Sequence, residues 1–465
     1  METVPKIIQG GMGVNISSWN LARTVSMLGG LGTVSGTAIQ IVMARILQKG
    51  DPGGHLRRAL SHFPFQEHAK RVLQEYFVEG GIKNGVSFKA VPFFTVNPPD
   101  FLISLTICAN HTFVWLAKQG HKNPVSINYL EKVAMPHVYA ITGAMLAGVD
   151  FITMGAGIPL HIPEVINAIS KSETASYRIL VDVDGEKIKS WTIMSFNPKT
   201  FFGTELSSMK KPRFIPIVAS NTLAIKLKRE LPNDSIHGFV IEEWTAGGHN
   251  APPRNKVSYG EKDEVNYSQI ADLGLPFWIG GSYSSPEKLQ YALSVGAKGI
   301  QAGSIFALCE ESSMYTRFRN ETRRLGFNKA LKVKTDMRIS PTGYPFKVGV
   351  IDETLSEEKV YNDRARICDQ GGLRCPYKKL DGTTGYRCSA EPNDIYRDQK
   401  GGNSCDTEGR GCLCNGLLAT CGLGNPGEPP IITLGDDTSF LQYLMADENS
   451  SYRAEDAIKY LIDDL

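Results

Sequence analysis

The 465-residue sequence has almost no net charge, because 50 lysines and arginines meet 48 aspartates and glutamates for a formal +2 at pH 7. That balance lacks the electrostatic footprint of a nucleic-acid binder, and the basic run "KKPR" at 210–213 is too short to make one. No uncharged apolar run reaches the roughly 18 residues of a membrane span, and the longest, "FLISLTICANHTFVWLA", is interrupted by Asn110 and His111. The opening "METVPKIIQGG" has neither the apolar core nor the small-residue cleavage site of a secretory signal, so a cytoplasmic location is expected. Structural disulfides are then not expected from the nine cysteines. Internal repeats and low-complexity segments are also missing. A hydrophobic share of 42% against 21% charged residues is that of a globular chain with a substantial core.

What the sequence does contain is a series of short apolar runs, each a candidate strand. In order they are "KIIQ" from Lys6, "LGTVSG" from Leu31, "VSINYL" from Val125, "VDFITMG" from Val149, "FIPIVAS" from Phe214, "GFVIEE" from Gly238, "PFWIGG" from Pro276 and "KGIQAGS" from Lys298. Most are continuous rather than alternating, as expected of parallel strands covered on both faces. Helical patterns fill most of the intervals. "SSWNLARTVSMLG" offers Ser17 or Ser18 as an N-cap, and "SSPEKLQYALSVGA" pairs a serine cap with Pro286 in the first turn. Eight such βα units predict an α/β protein, a closed (β/α)8 or TIM barrel.

The barrel is expected over residues 1–327 with two insertions. One, at about 37–120, holds the helical "IQIVMARILQKG", a strand-like "FKAVPFFTV" and a long helix toward Gly120. The other, at about 175–200, has two alternating runs around Asp184-Gly185, a hairpin signal. Residues 328–465 are expected to form a cysteine-rich C-terminal extension packed on the barrel and ending in one or two helices.

Ligands of such barrels lie at the C-terminal strand ends, so the residues closing each strand matter most. The first strand runs into "QGGMG", whose glycines let backbone amides approach a planar ligand. Gly280-Gly281 and Gly303-Ser304 close the seventh and eighth, where barrels frequently bind phosphate. "VIEEWTAGGHNAPPR" follows the sixth: a strand tail, the flexible Gly247-Gly248, then His249, which titrates near neutral pH and is the candidate base. Glu242 and Glu243 close that strand and could neutralise a cationic neighbour, orient His249 or face solvent; adjacent strand residues face opposite ways, so one of the pair is expected near the site. His111, His121, His137 and His161 show no ligand spacing.

Taken together, "IIQGGMGVNISSWNLARTVSMLGGLGTVSG", "INYLEK", "GVDFITMGAGIPLHIP", "EEWTAGGHNAPPR" and "GAKGIQAGSIFALCEES" resemble the nitronate monooxygenase (2-nitropropane dioxygenase) superfamily of FMN-dependent barrels. Flavin-dependent enoyl reductases of fatty acid and polyketide synthases belong to the same superfamily. The resemblance runs from Pro5 to Ser312, and it implies one non-covalent FMN. By it, Gly11 and Met12 lie against the flavin, Asn128 and Gln301 near its ring, and Ser220 at a strand end toward it. Gly247 and Gly248 precede the family histidine, here His249, while Gly280, Gly281, Gly303 and Ser304 form the phosphate grip. Bulkier residues at Gly281 and Gly303 are expected to strip the flavin from a folded chain.

The implied activity is oxidation of alkyl nitronates or similar small carbanion-forming substrates, with no metal ligands. Asn250, Ala251, Pro252 and Pro253 after His249 look more like long bacterial members and the synthase enoyl reductases, so an NAD(P)H-dependent enoyl reductase is the alternative. Its partners would be NAD(P)H and an acyl carrier protein thioester. Self-association is compatible with either reading, whereas nucleic acid and membrane partners are not expected. An inosine-monophosphate-dehydrogenase-like barrel would need a nucleophilic cysteine near His249, and the sequence has none there.

Seven cysteines fall in the extension: Cys368, Cys375, Cys388, Cys405, Cys412, Cys414 and Cys421. Thiolates suit zinc and iron–sulfur centres alike. With no Cys-x-x-Cys pair, the expectation is of reduced, packed thiols.

Overall fold

The computed structural model describes residues 5–183, 190–206 and 209–462. Eight strands form a single parallel sheet: β1 (Ile7–Gln9), β2 (Gly32–Ser35), β3 (Val125–Leu130), β4 (Phe151–Gly155), β5 (Arg213–Val218), β6 (Phe239–Glu242), β7 (Phe277–Gly280) and β8 (Gly299–Ala302). Each overlaps one of the eight apolar runs. Neighbours follow chain order from β2 to β8, and β8 pairs with β1. Between β1 and β2 the ring closes, with Gln9 N donating to Leu31 O at 3.0 Å and Leu31 N to Ile7 O at 2.9 Å. The protein is a (β/α)8 barrel.

Side chains rather than a pore fill its centre: Ile8, Leu31, Phe151, Ile215, Val240 and Trp278 pack against one another. Burying each contributes about 1.5–3 kcal/mol relative to exposure. The Trp278 indole keeps a hydrogen bond, donating to Pro5 O at 2.8 Å. Helix packing outside the ring needs small residues; a Cβ on Gly32 would lie 1.8 Å from Ala22 O in helix Trp19–Met27.

The first insertion is helical, with Ile39–Gln48, His55–Leu60, Gln66–Tyr76 and Asp100–Ala117. "FKAVPFFTV" forms no strand. Pro92 removes a ladder donor, and side chains take the backbone groups instead: Lys89 N donates to Gln48 Oε1 at 2.6 Å and Val96 N to the Tyr386 hydroxyl at 2.8 Å. Helix Asp100–Ala117 is, contrary to the sequence reading, long and apolar enough by composition to cross a membrane, yet 83% of it is buried inside the protein. It is a core helix. Its Asn110 is satisfied there, donating to Thr106 O at 2.9 Å and accepting from Tyr129 at 2.8 Å.

In the second insertion Ala175–Val183 and Ser190–Phe196 pair antiparallel as expected, while the turn at Asp184-Gly185 lies outside the described residues. The extension does more than cover the barrel. Its strand Cys375–Lys378 joins this hairpin in parallel. Its last helix, Ala454–Ile462, packs on Trp19–Met27, Pro286–Ser294 and Ser304–Ala307, filling the helical ring beside β8 and β1. Leu461 and Phe440 thereby share one core with Leu21 and Leu289 of the barrel helices.

Candidate functional site

A cavity of about 230 Å³ opens at the C-terminal strand ends. Of the residues singled out in the sequence, Gly11, Met12, Asn128, Gly247, Gly248, His249, Gly281, Gln301, Gly303 and Ser304 line it. Gly280 is the last residue of β7, one step short of the wall. Ser220 is not brought to this cavity. Its hydroxyl caps helix Asn221–Glu230, accepting from Leu223 N at 3.3 Å, and it faces a separate hollow with Asn250 and Tyr259.

The loop after β1 is held from beneath by Ser17, whose hydroxyl donates to Gly10 O and accepts from Met12 N, both at 2.8 Å. Ser18 is the helix cap. Gly11 then passes so near Asn128 that a Cβ there would stand 2.2 Å from the Asn128 Cβ. The Asn128 amide donates to Thr153 at 3.0 Å, which leaves Oδ1 to the cavity. Gln301 presents a second amide with no side-chain hydrogen bond among the described residues. Close backbone and two convergent amides are what a flat, polar-edged ring such as a flavin needs.

Among the described residues no lysine or arginine lines the cavity, so an anionic group there would rest on backbone N–H groups and hydroxyls. Ser304 is suited to that. Its oxygen accepts from Gly435 N at 2.9 Å, which leaves its own proton to donate. Gly281 holds φ +103°, a conformation that side chains disfavour, and so turns the chain after β7. The residues present fit a phosphorylated flavin.

His249 is fixed by the extension. Strand Phe346–Val350 runs along the loop, with Lys347 N donating to Gly248 O at 2.9 Å and Asn250 N to Pro345 O at 3.0 Å. Thr433 accepts from Gly248 N at 2.8 Å. The imidazole lies edge to face against Phe346, and its Nε2 is 2.7 Å from Ser340 Oγ. Burial, and then the nearby Lys132 ammonium, pull its pKa down to about 3, so the ring is neutral. Lys132 itself is brought down to about 8 by burial, against the pull of Glu131. Across the cavity, burial raises Glu242 to about 7. Glu243 points away, accepting from the Tyr267 and Tyr283 hydroxyls.

One ion pair secures this clamp: Lys347 Nζ donates to both carboxylate oxygens of Asp436 at 2.7 Å, and Asp436 N donates to Thr245 O at 3.0 Å. Lys347 is 3% exposed and Asp436 32%. Removing the carboxylate strands a buried ammonium, so Asp436→Ala is expected to cost about 3 kcal/mol by urea denaturation. Lys347→Met, which leaves the better-hydrated partner, should cost less, and an equal loss in both variants would contradict the account.

No family model matches the sequence, and no curated protein matches it. Among solved structures, FabK from Thermotoga maritima aligns over 99% of this chain and 93% of its own at 14% identity, with a TM-score of 0.50. The chain shares the fold of FabK. Nitroalkane oxidase from Streptomyces ansochromogenes also aligns, at 12% identity over 99% and 94% of the two chains with a TM-score of 0.46. So does the enoyl reductase domain of MlnA from the macrolactin biosynthesis cluster of Bacillus amyloliquefaciens, at 12% identity over 99% and 94% with a TM-score of 0.48.

Alignment with FabK covers the extension as well as the barrel, and the extension is where sequence reasoning missed most of the site. Gln370, Cys414, Leu417, Thr433 and Gly435 line the cavity, and Ser340 holds His249. None lies near a barrel strand end in sequence. Thr433 and Gly435 carried the one usable signal, following the buried pair Ile431-Ile432 as a strand-end loop residue would.

Proposed function

We propose that the chain is a cytoplasmic, FMN-dependent oxidoreductase of the nitronate monooxygenase kind, acting on small substrates that ionise beside a nitro or carbonyl group. The observation that carries this is the meeting of the glycine loops of β1, β7 and β8 with His249 in one cavity at the strand ends. Bound FMN supplies the electron transfer. Gly11, Met12, Asn128 and Gln301 would hold its ring, and Gly281, Gly303 and Ser304 its phosphate.

In the tautomer whose Nε2 carries the proton, 2.7 Å from Ser340 Oγ, the neutral imidazole offers Nδ1 as the proton acceptor. No hydrogen bond to Nδ1 is made among the described residues. The extension adds an apolar stretch of cavity wall, Leu413, Leu417, Ile431 and Leu434. A second reading draws on the same wall, which suits an alkyl chain longer than that of a small nitroalkane: reduction of an enoyl thioester by NAD(P)H.

Denaturing the native protein should release one FMN per chain, identified by mass; FAD, or no flavin, would overturn the assignment. Oxygen uptake with alkyl nitronates is the expected activity. Turnover of an enoyl thioester with NAD(P)H while nitronates stay inert would replace the first reading by the second.

A further inference from the structure

We propose that Cys368, Cys388, Cys412 and Cys414 bind a cubane iron–sulfur cluster beside the cavity. They come from three separate stretches of the extension, and hydrogen bonds next to the cysteines hold those stretches together. Asn415 Nδ2 donates to Ile367 O at 2.8 Å and Gln370 Nε2 to Asn415 Oδ1 at 3.0 Å, joining the first stretch to the third. Arg366 Nε donates to Ala390 O at 3.2 Å, joining the first to the second. A merely packed group of thiols leaves this convergence unexplained.

Backbone N–H groups point at all four sulfurs: Gln370 and Gly371 at Cys368, Ala390 at Cys388, Asn415 at Cys412, Gly372 and Leu373 at Cys414. A protonated thiol is a weak acceptor, whereas cluster-bound thiolates are tuned by such bonds. Gly372 permits the closest approach, since a Cβ there would lie 3.2 Å from Cys414 Sγ.

All six pairings among the four sulfurs are close enough for their charges to interact. Coordination to iron would hold all four as thiolates. The resulting anionic cluster would have cations at hand: Arg366 lies within electrostatic reach of Cys388 and Cys412, and Arg374 of Cys368. Arg374 Nε is buried without a hydrogen-bond partner among the described residues.

Among the described residues no three histidine, cysteine, aspartate or glutamate side chains converge as ligands of one ion do, which tells against a single zinc at about 2.3 Å from each sulfur. A cubane separates its four thiolates by its own width. Cys414 also lines the cavity, so the cluster would share a wall with the cavity's occupant. This proposal stands whether or not that occupant is a flavin.

The full chain, purified without oxygen, should carry about four irons and four acid-labile sulfides and give an electron paramagnetic resonance signal on reduction with dithionite. Serine at any of the four positions should abolish that signal, while Cys375→Ser and Cys405→Ser, at exposed positions, keep it. Flavin is quantified on the same samples, so loss of one group is not read as loss of the other. If a variant fails to fold, the parent's iron, sulfide and resonance signal decide alone. Zinc in place of iron, disulfides among the four, or metal-free protein whose thiols all titrate would each overturn the proposal.

Discussion

His249→Ala is expected to keep FMN bound and to slow flavin reduction by about 10²–10⁴-fold, the usual contribution of a positioned general base. FMN should remain because the imidazole is held by Ser340 and Phe346 of the extension, while the flavin-fitting groups belong to the loops of β1, β3, β7 and β8. The ring's pKa of about 3 makes it a weak acceptor in the empty cavity. A carbanion forming beside it would stabilise the imidazolium and offset the burial and the Lys132 charge that depress it. Since His249 stays neutral down to about pH 3, no limb of the pH–rate profile near neutrality belongs to it. Glu242, raised to about 7 and facing the same cavity, titrates there, so Glu242→Gln should remove its limb from the profile and leave the one set by Lys132, which burial lowers to about 8. Substrates supplied as pre-formed nitronates need no proton removed, and the alanine variant should lose less with them. Stopped-flow reduction at the parental rate with a neutral nitroalkane would leave His249 a loop residue.

The barrel was legible because parallel strands buried on both faces write themselves as continuous apolar runs, and most of the eight did so. Glycine turns at strand ends were legible for the same local reason: Gly281 needs its positive φ whatever lies across from it. Ser340, Thr433 and Gly435 were not, because their roles come from long-range placement. Gly435 reaches Ser304 from 131 positions away, and nothing within a turn's length of either residue encodes the meeting. Ser220 shows the opposite limit. A serine after a strand is equally good as a helix cap and as a ligand, and the free Leu223 N–H decided for the cap. "FKAVPFFTV" failed as a strand because Pro92 removes a ladder donor and the side chains of Gln48 and Tyr386 took the backbone N–H groups of Lys89 and Val96. The lack of a Cys-x-x-Cys pair points to packed thiols, whereas the proposed cluster draws on three distant stretches that no short spacing announces.

Gly303→Phe and Gly281→Ala should separate flavin binding from chain folding, where the sequence treats the two glycines alike. Gly303 has φ −112°, open to any side chain, and a Cβ there would meet only Met12, at 3.6 Å from its sulfur. A phenyl ring can therefore grow into the cavity without disturbing the barrel, and the variant should keep stability within about 1 kcal/mol of the parent. It should bind no FMN, because the ring would occupy the space assigned to the phosphate. Gly281 is different: at φ +103°, a Cβ would stand 2.9 Å from both Glu243 Cβ and Thr245 Oγ1. Even alanine there is strained, and Gly281→Ala should lose about 1–3 kcal/mol while the cavity stays open to the cofactor. Urea denaturation and flavin content, read on both variants, test the pair. If Gly303→Phe retains stoichiometric FMN in a folded chain, the phosphate does not sit between β7 and β8, and the cofactor assignment would have to move with it.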